Sequence, residues 1–378
     1  MKITPGTARQ RVSSSAPDSA SDPLGVAKAA WDRLACKHWD APMMAYDWAE
    51  CCAEVFSPNQ SPQALAFGSP TISAIAPLAR EKGWAAPLEL IGQSILYEPG
   101  DFLYADEESL FRLCADLAQM PTPLRLARVR ADSPVPAALT AAYRGKGIVL
   151  CRPAAPCPWI ALDRSWEHPE RHINVGRQSD LRRARRHAEG RGGILSEIIT
   201  PKPRELGLLL DEAFTVEASG WKGRNGTALL HDRKLGTFFR RYAEAACESR
   251  CLRIARLKIG GKAAAMQLAI ETGNSYWLLK IGFDEEFARC SPGVLLLVDS
   301  IAYAAKRGLR SCEFMGVSDG WIRQWGTDEH QFVSLTAYPF SLAAGTRLVA
   351  DTMAAVRSRL RIGLSRPPTA GDNACKSR

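Results

Sequence analysis

At 378 residues the chain is longer than one ordinary domain, which sets an expectation of two. Its 46% hydrophobic and 24% charged content is a soluble globular balance, and no apolar run is long enough to cross a bilayer. The net charge of +9 suits nucleic acid, acidic lipid, polysaccharide or a phosphate-bearing cofactor without choosing among them. The 11 cysteines lack CxxC spacing, and several, such as Cys114, Cys247 and Cys312, fall inside apolar patterns. That usage fits reduced thiols in a cytoplasmic protein and argues against a disulfide framework. The six histidines form no ligand pattern, so no metal is expected.

In chain order, residues 1–24 are Ser-, Ala- and Pro-rich without apolar periodicity and read as a disordered tail. A first domain is predicted over residues 25–165. It has a helix over Ala45–Phe56, with Trp48, Cys51, Cys52 and Val55 on one face, and a hairpin from Ala64–Phe67 to Thr71–Leu78. Strand Leu88–Ile91, helix Glu107–Leu117, strand Leu124–Val129, helix Val135–Tyr143 and strand Gly147–Cys151 follow.

The second domain is predicted over residues 166–340. Ser179 is placed to cap an arginine-rich helix ending near Glu189. Strand Ile194–Ile199 and helices Pro203–Ser219 and Lys234–Glu248 lead to three consecutive strands, Leu252–Ile259, Lys262–Glu271 and Ser275–Phe283, joined by Gly260-Gly261 and Gly273-Asn274 turns. A helix over Pro292–Lys306, strands Cys312–Val317 and Gln331–Tyr338, and a basic helix and tail over residues 341–378 complete the chain. Hairpins turning at glycine lead in both halves to a strand ending Ile-Gly, Ile91-Gly92 and Ile281-Gly282, which suggests a weak internal duplication. The fold class is mixed α/β in two tandem units.

One segment carries a candidate chemistry. After strand Ser275–Phe283 a polar loop runs into Ser291-Pro292-Gly293 and an apolar helix. A helix start presents unpaired N–H groups and the positive end of the dipole, and Gly293 lets an anion approach the backbone. Ser291 can cap the helix or bind an oxygen. The same residues also make an ordinary Ser-Pro helix start.

The ordered set Gly282-Phe283-Asp284, Ser291-Pro292-Gly293 and Glu313-Phe314-Met315-Gly316 resembles the GNAT-like acyltransferases associated with bacterial cellulose and exopolysaccharide synthesis, relatives of the Fem-type aminoacyl transferases. Leu181–Arg186 resembles that family's arginine-rich helix, and Phe214–Trp221 with Gly226–Leu229 its next helix and loop. The resemblance implies tandem GNAT-like mixed-sheet domains. It implies transfer of an acyl group from acetyl-CoA or another acyl-CoA to an amine or hydroxyl, on a small-molecule or saccharide acceptor. The pantetheine arm would lie along the strand holding Lys280 and Ile281, and the diphosphate at Ser291 and Gly293. Trp321 and Ile322 stand where relatives often carry Tyr-Lys, so a lysine role in that loop does not carry over.

Acyl transfer to an amine or hydroxyl needs a base. Asp284 at the strand end is the first candidate, with Glu313 and His330 as alternatives; each also has an ordinary structural reading. Trp221 and Trp321 are candidate walls of an acceptor pocket, and Arg182 and Arg186, one helical turn apart, candidate contacts to an anionic acceptor. Cys290 has no histidine neighbour in sequence and is set aside as a nucleophile. The basic helix after Phe340 suggests at most weak contact with a membrane surface. Nucleic acid is not expected as a partner, because no recognition motif accompanies the arginines. The competing classes are a Fem-like transferase using charged tRNA and a non-catalytic binding protein of the same fold.

Overall fold

The computed structural model describes residues 24–58, 60–316, 322 and 325–364. The stretch before Leu24, Trp321 and the residues beyond Leu364 lie outside the described residues. The first half contains α1 (Lys28–Ala35), α2 (Tyr46–Phe56), β1 (Gln60–Pro62), β2 (Leu65–Phe67), β3 (Ala74–Ala76), β4 (Leu78–Glu81), β5 (Leu88–Leu90), α3 (Gln93–Leu96), β6 (Leu103–Tyr104), α4 (Glu107–Leu117), β7 (Leu124–Arg130), α5 (Val135–Ala142) and β8 (Gly147–Ala161). Asp106 caps α4 by accepting from the Ser109 N–H at 2.8 Å. The predicted hairpin divides: β2 pairs with β3 in a three-stranded sheet that also holds β6, whereas Leu78 begins β4 in the main sheet. Pro77, which has no N–H to give a ladder, stands at the division.

The second half contains α6 (Val175–Glu189), β9 (Ile194–Ile199), α7 (Pro203–Ala218), α8 (Trp221–Arg224), α9 (Arg233–Glu248), β10 (Leu252–Ile259), β11 (Lys262–Thr272), β12 (Ser275–Phe283), α10 (Pro292–Lys306), β13 (Ser311–Glu313), β14 (Asp328–Pro339) and α11 (Leu342–Leu364). The expected start of α6 at Ser179 is corrected. Asn174 caps the helix by accepting from the Arg177 N–H, and Ser179 lies inside it, its hydroxyl donating back to the Val175 carbonyl. Of the strand expected over Cys312–Val317, the described residues pair as Ser311–Glu313, and Val317 lies outside the described residues.

Eleven strands join in one mixed sheet, in the order β1-β4-β5-β7-β14-β8-β13-β12-β11-β10-β9. The two tandem units follow one plan. An antiparallel pair, β4–β5 or β11–β12, is followed by a helical crossover to a parallel neighbour, β7 or β13. The units interlock, because β14 from the second half inserts between β7 and β8. The sequence pattern ended β8 at Cys151, yet the strand continues to Ala161. Up to Pro158 it pairs, among the described residues, with β14 alone, so Pro153, Pro156 and Pro158 fall where one edge has no described strand partner and a missing N–H costs least. The largest apolar cluster also crosses the halves. Trp48 of α2 packs edge-on against Phe238 and Tyr242 of α9, with ring centroids 5.0 and 4.8 Å apart.

Candidate functional site

The site is made where the second unit's sheet parts. Among the described residues, β12 and β13 pair only from Ser275 to Trp277 against Ser311 to Glu313. Leu279 is a bulged residue in β12, since Leu268 faces Lys280 and Ala269 faces Leu278, and a bulge bends and twists its strand. On the other side Met315 and Gly316 both take left-handed backbone angles, φ 56° and 61°, and turn the chain away. A cleft of about 740 Å3 opens between the strands. Leu278–Phe283 form one wall, Phe314–Gly316 another, and Ser291–Val294 at the start of α10 close one end.

That helix start is bare. Ser291 adopts φ 44° and makes no side-chain cap, and Pro292 has no N–H. The N–H groups of Val294 and Leu295 turn to the Ser291 carbonyl at 3.0 and 3.1 Å. The Gly293 N–H is left at the positive end of a 15-residue helix. A Cβ at Gly293 would stand 3.6 Å from the Phe283 ring, an ordinary contact, so the glycine leaves open space rather than relieving a clash. Gly282 is different: a Cβ there would lie 2.7 Å from the Glu217 Cα, and this closeness lets α7 rest directly on β12.

Charges enter the cleft from both halves. Lys222 of α8 donates to Glu217 at 2.8 Å and to the Ile281 carbonyl at 2.9 Å. Glu217 also accepts from the Leu229 N–H at 2.9 Å. Its side chain is 2% exposed and that of Lys222 22%, so Lys222→Met strips a buried carboxylate of its cation. We expect that variant to lose roughly 1–3 kcal/mol of stability, read from the urea midpoint; an unchanged midpoint would show the pair to be dispensable. Lys280 also lines the cleft, with its ammonium 4.6 Å from the Phe239 ring centroid. Burial lowers its pKa.

Glu98, from the loop before β6, reaches the same cleft. Its Oε2 is buried and has no hydrogen-bond partner among the described residues. Burial raises its pKa, and Lys280 and Arg128 oppose that rise. Arg128 itself, 1% exposed, donates to the carbonyls of Tyr97, Ala155 and Gly316 at 3.0–3.1 Å, tying the Glu98 loop to the cleft rim. Among the described residues, five non-glycines have positive φ. Two of them, Ser291 and Met315, line this cleft, and a third, Tyr97, precedes Glu98 in its loop; such strain clusters at functional sites. Sequence reasoning missed Glu98, since a lone Glu in a Pro-Gly loop carries no periodic or motif signal.

The other expected site residues fall as follows. Lys280, Ile281, Ser291, Gly293 and Trp221 come together as cleft lining, with Trp221 51% exposed. Asp284 is outside the lining. It caps a 3₁₀ turn, Glu285–Cys290, by accepting from the Glu286 N–H at 2.9 Å. Asp284→Ala is therefore expected to lower stability by about 1 kcal/mol with turnover per folded molecule unchanged, measured by denaturation alongside an activity assay. Glu313 and His330 are joined, Oε2 to Nε2 at 3.1 Å, outside the cleft lining. Glu313 also accepts from the Ser311 hydroxyl, and the His330 ring stacks on Trp159 at 4.8 Å. Arg182 and Arg186 are exposed on α6 and do not line the cleft; Ala184 and Ala188 bury the opposite face.

Residues 176–329 match the acetyltransferase (GNAT) domain family. The chain also shares its fold with three solved structures. FemX is 11% identical, with 84% of this chain and 97% of that one covered at TM-score 0.59. The C-terminal domain of a putative lysylphosphatidylglycerol synthetase from Agrobacterium fabrum is 12% identical, covering 86% and 95% at TM-score 0.54. A conserved protein of unknown function from Bacteroides thetaiotaomicron is 12% identical, covering 82% and 97% at TM-score 0.53. No curated protein matches the chain in sequence. Identities this low speak for the fold alone.

Proposed function

With a GNAT acetyltransferase domain over residues 176–329 as the premise, we propose that the chain transfers an acyl group from an acyl-CoA thioester to an amine or hydroxyl acceptor. The observation that carries this reading is the parting of β12 from β13 onto the bare Gly293 N–H. An extended, amide-bearing arm fits against the open edge of β12, and a diphosphate fits the positive helix start. The lining is mostly apolar, which keeps water from the thioester and strengthens charge interactions inside.

Glu98 is the proposed base in place of Asp284. Its unpartnered oxygen accepts a proton from the acceptor nitrogen or oxygen. The freed lone pair forms a bond to the thioester carbonyl carbon, the C–S bond breaks, and the departing thiolate is protonated. Trp221 at the mouth is a proposed acceptor contact. A saccharide or cell-envelope acceptor rests on the family resemblance, and a cytoplasmic site of action on where acyl-CoA is made.

The second reading is an aminoacyl-tRNA donor, since the Glu98 carboxylate also suits the ammonium of an aminoacyl group. Thermal shift against CoA, acetyl-CoA, longer acyl-CoAs and tRNA separates the two. A thioester at 100 times its Kd should stabilise the protein by about 2.7 kcal/mol. A shift with tRNA and none with any CoA species would replace the first reading with the second.

A further inference from the structure

The helix α11 has two unlike faces. Successive helical residues are turned by 100°, so positions 342, 349, 353 and 356 lie within about 60° of one another. All four are apolar and solvent-facing: Leu342 is 88% exposed, Val349 55%, Met353 56% and Val356 51%. Phe340, just ahead of the helix, is 71% exposed. The opposite face meets the body. Ala344 is buried, and Asp351 accepts from the Tyr338 hydroxyl at 2.8 Å and from Arg347 at 2.9 Å. Single exposed apolar residues need no explanation, but a stripe over about four turns with the helix's other face anchored on β14 does.

Charge selects the occupant. Asp351 is the acid of α11, and it is turned to the body and paired. From Arg357 onward the sequence carries Arg357, Arg359, Arg361, Arg366, Lys376 and Arg378 against Asp372 alone. A second copy packed stripe to stripe would bring this cationic end near its own like or leave it without acidic partners. No helix among the described residues is long and apolar enough to cross a membrane. An apolar stripe beside a run of arginines is the arrangement of a helix lying in the plane of a lipid surface.

We propose that α11 docks this protein on an anionic bilayer surface, with Leu342, Val349, Met353 and Val356 entering the headgroup layer and Arg357 meeting lipid phosphate. The test is sedimentation of the full chain with vesicles of phosphatidylcholine alone, or of phosphatidylcholine with phosphatidylglycerol, at low and high salt. Binding to the anionic vesicles should be at least about tenfold tighter and should weaken with salt. Leu342→Glu/Met353→Glu/Val356→Glu should reduce it at least about tenfold, with helicity and melting temperature retained because all three side chains are exposed. Arg357→Glu should weaken it as well. No binding to the anionic vesicles, or equal binding by the triple variant, overturns the proposal. So does a concentration-dependent dimer that the triple variant abolishes while vesicle binding is absent, which would assign the stripe to a second copy.

Discussion

Gly293→Glu is expected to abolish acyl-CoA binding in a protein that still folds. The Gly293 N–H stands at the uncapped start of α10, where Pro292 has no donor and Val294 and Leu295 turn back to Ser291. A carboxylate there fills the space a phosphate would occupy and repels its charge. Like-charge contact of this kind costs several kcal/mol, so the loss of affinity should be at least about 100-fold. The fold should persist for two reasons. The new Cβ makes only ordinary contact with Phe283 at 3.6 Å, and a negative charge in the first turn favours the helix dipole. Gly293→Ala is the control, with folding and affinity near those of the parent. Calorimetric titration with acetyl-CoA checks both variants; a folded Gly293→Glu protein with parental affinity would remove the phosphate site from α10.

Glu98→Gln should lower kcat by about 10²-fold or more, with donor affinity unchanged. The substitution keeps shape and removes the charge of a carboxylate whose Oε2 has no hydrogen-bond partner among the described residues. Burial raises the pKa of Glu98, so the parent's rate should climb with pH as that carboxyl ionises, and the variant should lack this limb. Stability moves the other way. A carboxyl whose folded pKa is raised binds more protons folded than unfolded in the window between the two values. Its stabilising effect is complete below the unfolded pKa and is lost as pH rises through the folded one. At neutral pH, Glu98→Gln should therefore leave the melting temperature unchanged or higher. A variant that melts lower and keeps both its turnover and its pH limb would mark Glu98 as a packing residue.

Much of the second unit was legible in the sequence because its signals are local. Strand-forming residues over Leu252–Ile259 and Ser275–Phe283, glycine turns between the strands, and Pro292 at the first position of α10 each depend on residues a few places apart. The five cleft residues anticipated in sequence, Lys280, Ile281, Ser291, Gly293 and Trp221, belong to or adjoin such local elements. At Asp284 the local signal allowed two readings, a base or a loop cap. It sits at a strand end facing a loop, where a short carboxylate equally well bonds the backbone two residues on, as it does with Glu286.

What the tertiary structure alone decided is the meeting of distant segments. Arg128 bonds the Gly316 carbonyl across 188 positions and Arg130 meets His330 across 200. β14 enters the first unit's part of the sheet, and the loop of Glu98 reaches the second unit's cleft. No periodicity encodes such pairings, because they arise from packing one whole unit against the other. A chain's own pattern declares which residues are strand, turn or helix start. Whether a buried carboxylate such as Glu98 finds a partner depends on every segment folded around it, and only the assembled structure shows that its Oε2 has no hydrogen-bond partner among the described residues.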